Sequence, residues 1–388
     1  MFSFDRGKWI VNFGQRSFKY TVPTGYKALC TQNLDDFSSD DSLNAPNYFF
    51  DINTYTGTGT GVSNPIKGMK FGPDLIWGKA TSYGDEHGLQ ATVIGTGKTL
   101  NTTSTSAETT NSGYYVTAFN SDGYTLGNGA NLNGSSTTYV NWCWDAGASA
   151  ATPSTAGTKT PTAQWFNTTA GFTMGTYDGN LTNCTIGTGL SAPVEFIIVK
   201  RHDGSDGWIV YPPKGDDGKT KYLRLNEDSA VASGTSGQTN YWNSTAPTNT
   251  VFTIGSGGHI NGNGSSNLFL AWTSIPGFSK FGMVTGNGST DGPFVHLGFK
   301  PKLILWKGYD QQSSWGLIDT ARSPYNVADD LIVAEANSAQ DSGNSNWARD
   351  ILSNGFKIRG SHSAVNGSSN EFLYAAWAEH PFKTSRAH

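Results

Sequence analysis

The side chains here that could do chemistry are seven histidines, several paired carboxylates, glycine clusters and a large set of aromatics. The histidines are His87, His202, His259, His296, His362, His380 and His388. None stands in HExxH or HxH spacing, so no element presents two imidazoles to a metal ion. His259 and His362 lie just upstream of Asn-Gly-Ser-Ser segments, and a surface or turn role is expected of the histidines. Adjacent acids occur at Asp35-Asp36, Asp40-Asp41, Asp216-Asp217 and Asp329-Asp330. Such neighbours mark solvated loops, whereas glycoside hydrolysis needs two carboxyls facing across a cleft. Asp203-Gly-Ser-Asp206-Gly could bend around calcium, but it lacks an EF-hand continuation and a closing bidentate Glu, so it reads as a plain turn. Gly57-Thr-Gly-Thr-Gly61 and Gly255-Ser-Gly-Gly258 lack a Gly-Lys-Ser/Thr ending and read as hairpin connections, not phosphate cradles. Cys30, Cys143 and Cys184 are odd in number and far apart, which is neither a disulfide framework nor a zinc site. No catalytic residue, cofactor or metal ligand is expected, and the chain reads as a non-enzyme.

Aromatics remain. Trp77, Trp142, Trp144, Trp272, Trp306 and Trp377 lie in apolar segments and are expected in the core. Trp165, Tyr241, Trp242 and Trp347 sit in polar, Gly/Ser/Asn-rich surroundings. Two readings stay open for them: exposed platforms for sugar rings, or packing at an interdomain or subunit contact.

The elements that position these residues follow from composition. Of 388 residues, 13% are aromatic and only 14% charged, with 48 glycines, a mixture that suits short strands joined by tight turns. The net charge of −4 offers no basic field to nucleic acid and no polybasic strip to a membrane. No apolar run approaches the roughly 18 residues that span a bilayer, so no membrane insertion is expected.

One pattern recurs three times. Pro73-Asp-Leu-Ile-Trp-Gly-Lys79, Pro193-Val-Glu-Phe-Ile-Ile-Val-Lys200 and Pro301-Lys-Leu-Ile-Leu-Trp-Lys307 are apolar strands that start near Pro and end on Lys. Each follows a Gly-rich stretch around Gly57, Gly179 or Gly286. Late in each unit, Asn133-Gly-Ser-Ser136, Asn263-Gly-Ser-Ser266 and Asn366-Gly-Ser-Ser369 precede a Trp-bearing strand, as Asn-Gly turns do. The expected architecture is all-β: three similar antiparallel β-sandwich or jelly-roll-like units in tandem, with little helix. Units are placed at 46–147, 170–278 and 279–388, the last including a C-terminal tail, with a linker over 148–169. The best helix candidate lies around 328–339.

The Pro-led strands, the turn Ser121-Asp-Gly-Tyr124, and the segments Trp142-Cys-Trp-Asp-Ala-Gly147 and Ala375-Ala-Trp-Ala-Glu-His-Pro-Phe-Lys383 resemble a repeat domain of marine bacteriophage tail-fibre and virion structural proteins. The first 34 residues, through Trp9-Ile-Val-Asn-Phe-Gly-Gln-Arg-Ser-Phe18 and Val22-Pro-Thr-Gly-Tyr-Lys-Ala-Leu-Cys30, resemble the C-terminal strands of a SPRY-like (concanavalin-like) domain, and 1–45 is placed as this remnant with a connector. The resemblance implies a virion protein, assembled in the bacterial host cytoplasm, that contributes to host attachment as a tail fibre or appendage. It also implies a homo-oligomer, with a trimer expected, partnered by other virion proteins and by host-surface glycan. Two alternatives stay open: a protein that binds or depolymerises host polysaccharide, and a capsid-surface decoration.

Overall fold

A computed structural model describes residues 48–59, 61–147 and 152–379. The three Pro-led segments are strands whose alternate side chains are apolar on both faces. Leu75 and Trp77 point one way and Ile76 the other; Phe196 and Ile198 oppose Ile197 and Val199; Leu303 and Leu305 oppose Ile304 and Trp306. A strand of this kind must be covered on both sides.

Leu75–Ala80, Phe196–Arg201 and Pro301–Gly308 each lie inside an antiparallel main sheet. The first sheet runs Phe50–Thr56, Thr138–Trp144, Leu75–Ala80, Gly88–Ala91. In the second, Phe172–Asp178, Ser266–Trp272, Phe196–Arg201 and Ile209–Tyr211 follow the same order, and Ala163–Asn167 extends the edge beside Phe172–Asp178. The third repeats it with Ser279–Thr285, Glu371–Ala378, Pro301–Gly308 and Gly316–Asp319. One face of each main sheet is covered by a small sheet of its own, built around Asn64–Lys67 with Gly123–Leu126, Cys184–Gly187 with Val251–Ile254, or Phe294–His296 with Gly355–Ile358. The fold is all-β and sandwich-like.

The opposite faces of the three main sheets share a single core. At its centre Trp144, Trp272 and Trp377 form a triangle of edge-to-face rings, with centroids 5.4, 5.9 and 6.3 Å apart. Phe172 stacks on Trp272 at 4.7 Å, and Phe50 and Phe281 lie 5.1 and 5.5 Å from Trp144 and Trp377. The three sandwiches, which follow one another along the chain, close into a ring around one apolar centre, an arrangement the sequence reading did not give.

Hydrogen bonds join neighbouring sandwiches all around that ring. Glu108 N–H donates to His202 C=O, Val231 N–H to Tyr309 C=O and Gln340 N–H to Thr81 C=O, joining first to second, second to third and third to first. Trp208 and Trp315 donate their indole N–H groups back to Asn101 and Arg224 C=O, both at 2.9 Å. His87 occupies the corresponding place in the first sheet. Its Nδ1 accepts from Trp77 Nε1 at 2.8 Å, which leaves Nε2 to donate to Val333 C=O at 3.0 Å. The surface or turn role expected of His87 is thus corrected: the ring is fully buried, and burial pulls its pKa down to about 3. The three strand-ending lysines lie on these inner faces. Lys200 donates across to Thr105 C=O and Lys307 to Asp228 C=O, each at 3.2 Å. All three are fully buried, and burial lowers Lys79, Lys200 and Lys307 to about 8.

A buried Asn closes each sandwich. Asn133, Asn261 and Asn366 end the four-residue helices Ala130–Asn133, Gly258–Asn261 and Ser363–Asn366. Their Oδ1 atoms accept from the N–H of Thr58, Asn180 and Asn287, while their Nδ2 groups donate to the C=O of Gly127, Gly255 and Gly360. Gly57, Gly179 and Gly286 pass so near that an added Cβ would sit 2.1, 2.2 and 2.4 Å from a carbonyl oxygen, so only Gly fits. The counterpart of Asn133-Gly134 is therefore Asn261-Gly262, two residues before the Asn263 that the sequence match selects; Asn263 is exposed.

Three further expectations change. Ala163–Asn167 is a strand inside the expected 148–169 linker. The helix candidate at 328–339 holds the short strand Ile332–Val333 and turns. The glycine clusters do not close hairpins; Gly255–Gly258 joins Val251–Ile254 to a helix. The SPRY-like segment at 1–45 lies outside the described residues, as does Cys30; Cys143 and Cys184 are free and buried.

Trp272→Ala empties the centre of the ring and is expected to cost about 3–5 kcal/mol in urea unfolding. A loss below about 1 kcal/mol, the size of an ordinary substitution, would contradict the shared core. Asn261→Ala strands a buried N–H and two carbonyls and should cost about 2–3 kcal/mol, against roughly 0.5 kcal/mol or less for Asn263→Ala. Equal effects at the two positions would contradict the alignment.

Candidate functional site

Three clefts occupy the same place in the three sandwiches, where the start of the central strand, the end of the fourth strand and the tip of the small sheet converge. The first, of about 500 Å³, is lined there by Pro73 and Asp74, by Thr92, and by Asn120 and Ser121. In the second, of about 380 Å³, Pro193 and Glu195, Pro213, and Ala246 and Pro247 take those places. The third, of about 600 Å³, has Lys300, Thr320, and Ser353 and Asn354. Lys300 is held by Glu379 at 2.6 Å, and the nearby Tyr325 is 83% exposed.

Only the first cleft combines an aromatic wall with a carboxyl pair. Phe71, Phe119 and Trp165 supply the wall; Asp74 and Asp145 supply the pair. Asp74 precedes the central strand and Asp145 follows the last one, so neighbouring strands bring them together. Asp74 accepts from Thr92 Oγ1 at 3.0 Å and Ala146 N–H at 2.9 Å. Asp145 accepts from Gly147 N–H at 2.8 Å and Asn167 Nδ2 at 3.0 Å. The two carboxyls are neighbours, flanking the paired residues Leu75 and Trp144 on adjacent strands. Burial, reinforced by the neighbouring Asp145 charge, pushes Asp74 up to about 7, and burial raises Asp145 as well. Neighbouring like charges oppose double ionisation, so the pair favours keeping a proton. It can accept hydrogen bonds from a ligand and donate one.

The four aromatics singled out in sequence separate here. Trp165, on the added strand Ala163–Asn167, is partly buried and lines the first cleft. Tyr241 and Trp242 are 0% and 1% exposed, which corrects the reading of them as sugar platforms. Their polar loop folds over its own small core: Tyr241 meets Tyr222 edge-to-face at 4.8 Å, and Trp242 donates to Lys221 C=O at 2.9 Å. Trp347 is corrected likewise. It is 7% exposed and its ring fills the space where Gly316 lacks a side chain.

The remaining polar candidates are paired locally. Arg201 binds both Asp203 and Asp206, filling the turn that calcium would have occupied. His259 pairs with Asp206 at 2.6 Å and His202 with Glu108 at 2.9 Å. Among the described residues no group of three His, Cys, Asp or Glu is placed to hold a metal ion, and no helix is long and apolar enough to cross a membrane. Asp35-Asp36 and Asp40-Asp41 lie outside the described residues. Sequence reasoning missed Asp74 and Asp145 because it sought acids adjacent in the chain. The available signal was their position, each flanking a segment already recognised as a strand.

Because the folded pKa of Asp74 is raised, its contribution to stability is complete below about pH 4 and is lost as pH rises through about 7. Asp74→Asn removes that titration. Its urea midpoint relative to the parent chain is expected to improve between pH 5 and pH 8. Parallel midpoints across that window would contradict the shared-proton pair.

Comparison with curated proteins finds no match. The family described as a domain of unknown function, DUF7483, matches residues 45–381, and all three main sheets and all three clefts lie within that span. The chain belongs to this family.

Proposed function

We propose that the chain is a structural protein of a bacteriophage particle, a tail-fibre or appendage component that contributes to host attachment. The observation that carries this reading is what recurs and what varies. The central tryptophans, the seam lysines and the closing asparagines stand at equivalent places in all three sandwiches, whereas the cleft linings differ. Recurrent framework with divergent surface suits a stiff body that displays binding surface. The resemblance of the Pro-led strands to phage virion repeats points the same way, and it extends the proposal to a homotrimer of the whole chain.

Depolymerisation of polysaccharide is supported less well. Glycosidase carboxyls stand about 5–9.5 Å apart so that a sugar bond and a water fit between them. Asp74 and Asp145 instead sit side by side, flanking the paired residues Leu75 and Trp144, with their oxygens taken up by Thr92, Ala146, Gly147 and Asn167.

Mass spectrometry of gradient-purified particles, with immunogold microscopy against this chain, tests the proposal. The chain is expected as a stoichiometric particle component at the tail or an appendage. Its absence from purified particles would overturn the reading, and gold on the capsid surface would replace the appendage with a decoration. Native mass spectrometry of the isolated protein is expected to give a trimer; a monomer would remove that part.

A further inference from the structure

We propose that the first cleft, which the first sandwich shares with Trp165 of the second sheet, binds an uncharged saccharide, which stacks on Trp165 and hydrogen-bonds through its hydroxyls to Asp74 and Asp145. This deepens the host-attachment reading by naming a ligand class, and its chemistry holds whatever particle carries the chain.

Size comes first. A cleft of about 500 Å³ is in the range of small-ligand sites and suits a mono- or disaccharide. The aromatic wall is next. The Trp165 indole nitrogen is buried without a partner, so the part of the ring open to the cleft is carbon. That surface suits the C–H face of a sugar ring better than a hydrogen-bonding group. The polar side of the cleft follows. Each Asp oxygen takes one donor from the surrounding loops, and a carboxylate oxygen has capacity for another. Asn120 and Ser121 add amide and hydroxyl groups at the rim.

Charge sets the class. No Lys, Arg or His lines this cleft, so a uronic acid or phosphorylated sugar would meet a carboxyl pair with no counter-cation. The equivalent clefts cannot substitute. At the place of Asp145 the second and third sandwiches have Thr273 and Ala378, and the third has Lys302 in place of Asp74. Among the described residues only the second sheet carries the extra edge strand that bears Trp165. The first cleft is thus a departure from an otherwise repeated framework.

Saturation-transfer NMR on the intact chain tests this, with lactose, maltose, cellobiose and N,N'-diacetylchitobiose as neutral probes, digalacturonic acid as the anionic probe and glucosamine as the cationic one. At least one neutral disaccharide is expected to bind, and Trp165→Ala to weaken it roughly tenfold while Trp165→Phe keeps most of the affinity. Asp145→Asn is expected to weaken it as well, and each variant's melting curve shows whether it is folded. Binding of none of the neutral probes, binding of only the charged ones, or binding unaffected by Trp165→Ala in a folded protein would overturn the proposal. Neutral-sugar binding by a chain absent from particles would leave this inference standing and remove the virion reading; particle incorporation without sugar binding would do the reverse.

Discussion

Three indole rings meeting edge to face at the centre of the molecule set the terms for everything around them. Trp144, Trp272 and Trp377 pack only if three sheets bring the same position of the same strand to one place. That requirement explains why Leu75–Ala80, Phe196–Arg201 and Pro301–Gly308 are apolar on both faces: one face belongs to the sandwich, the other to the ring. The three indole N–H groups have no oxygen acceptor among the described residues. Edge-to-face packing offers them neighbouring π faces, a weaker partner than a carbonyl but one that admits no water.

The seams carry the polar consequences of this choice. Three lysines are buried at the ends of the central strands, without a carboxylate at hydrogen-bonding distance, and are held by backbone carbonyls. The third-to-first seam departs from the other two. There the buried Asp319–Arg322 pair receives the Trp142 indole N–H, and neutral His87 stands where the other seams have Trp. A neutral histidine satisfies both the indole behind it and the carbonyl ahead, and the second of these bonds joins the third sandwich to the first.

Much of this was legible in the sequence, within a limit that residues themselves explain. Strands announced themselves through Pro-led apolar runs and Asn-Gly turns because those patterns reflect local geometry. The ring did not, because a strand apolar on both faces looks the same whichever layer covers it. Asn261 was misplaced to Asn263 because Asn-Gly occurs twice in succession there, and only burial separates the two. Ala163–Asn167 was hidden in a Ser/Thr/Ala-rich stretch whose pairing partner lies in the next strand. Exposure stayed open beside packing for Tyr241 and Trp242 because their neighbours are polar, yet those neighbours form the loop that folds over them. Asp74 and Asp145 were invisible as a pair because strand pairing, not chain proximity, joins them.

The same division between framework and surface runs through the clefts. The ring holds three clefts at fixed positions and leaves their linings free to differ, so one can recognise a ligand without disturbing the others. A core shared by three sandwiches makes them one cooperative body. Differential scanning calorimetry tests it most directly by comparing the calorimetric with the van't Hoff enthalpy. A single transition with a ratio near one, within about ten per cent, is the result expected of a shared core. Two or three separable transitions, each with the enthalpy of a single sandwich, would contradict it.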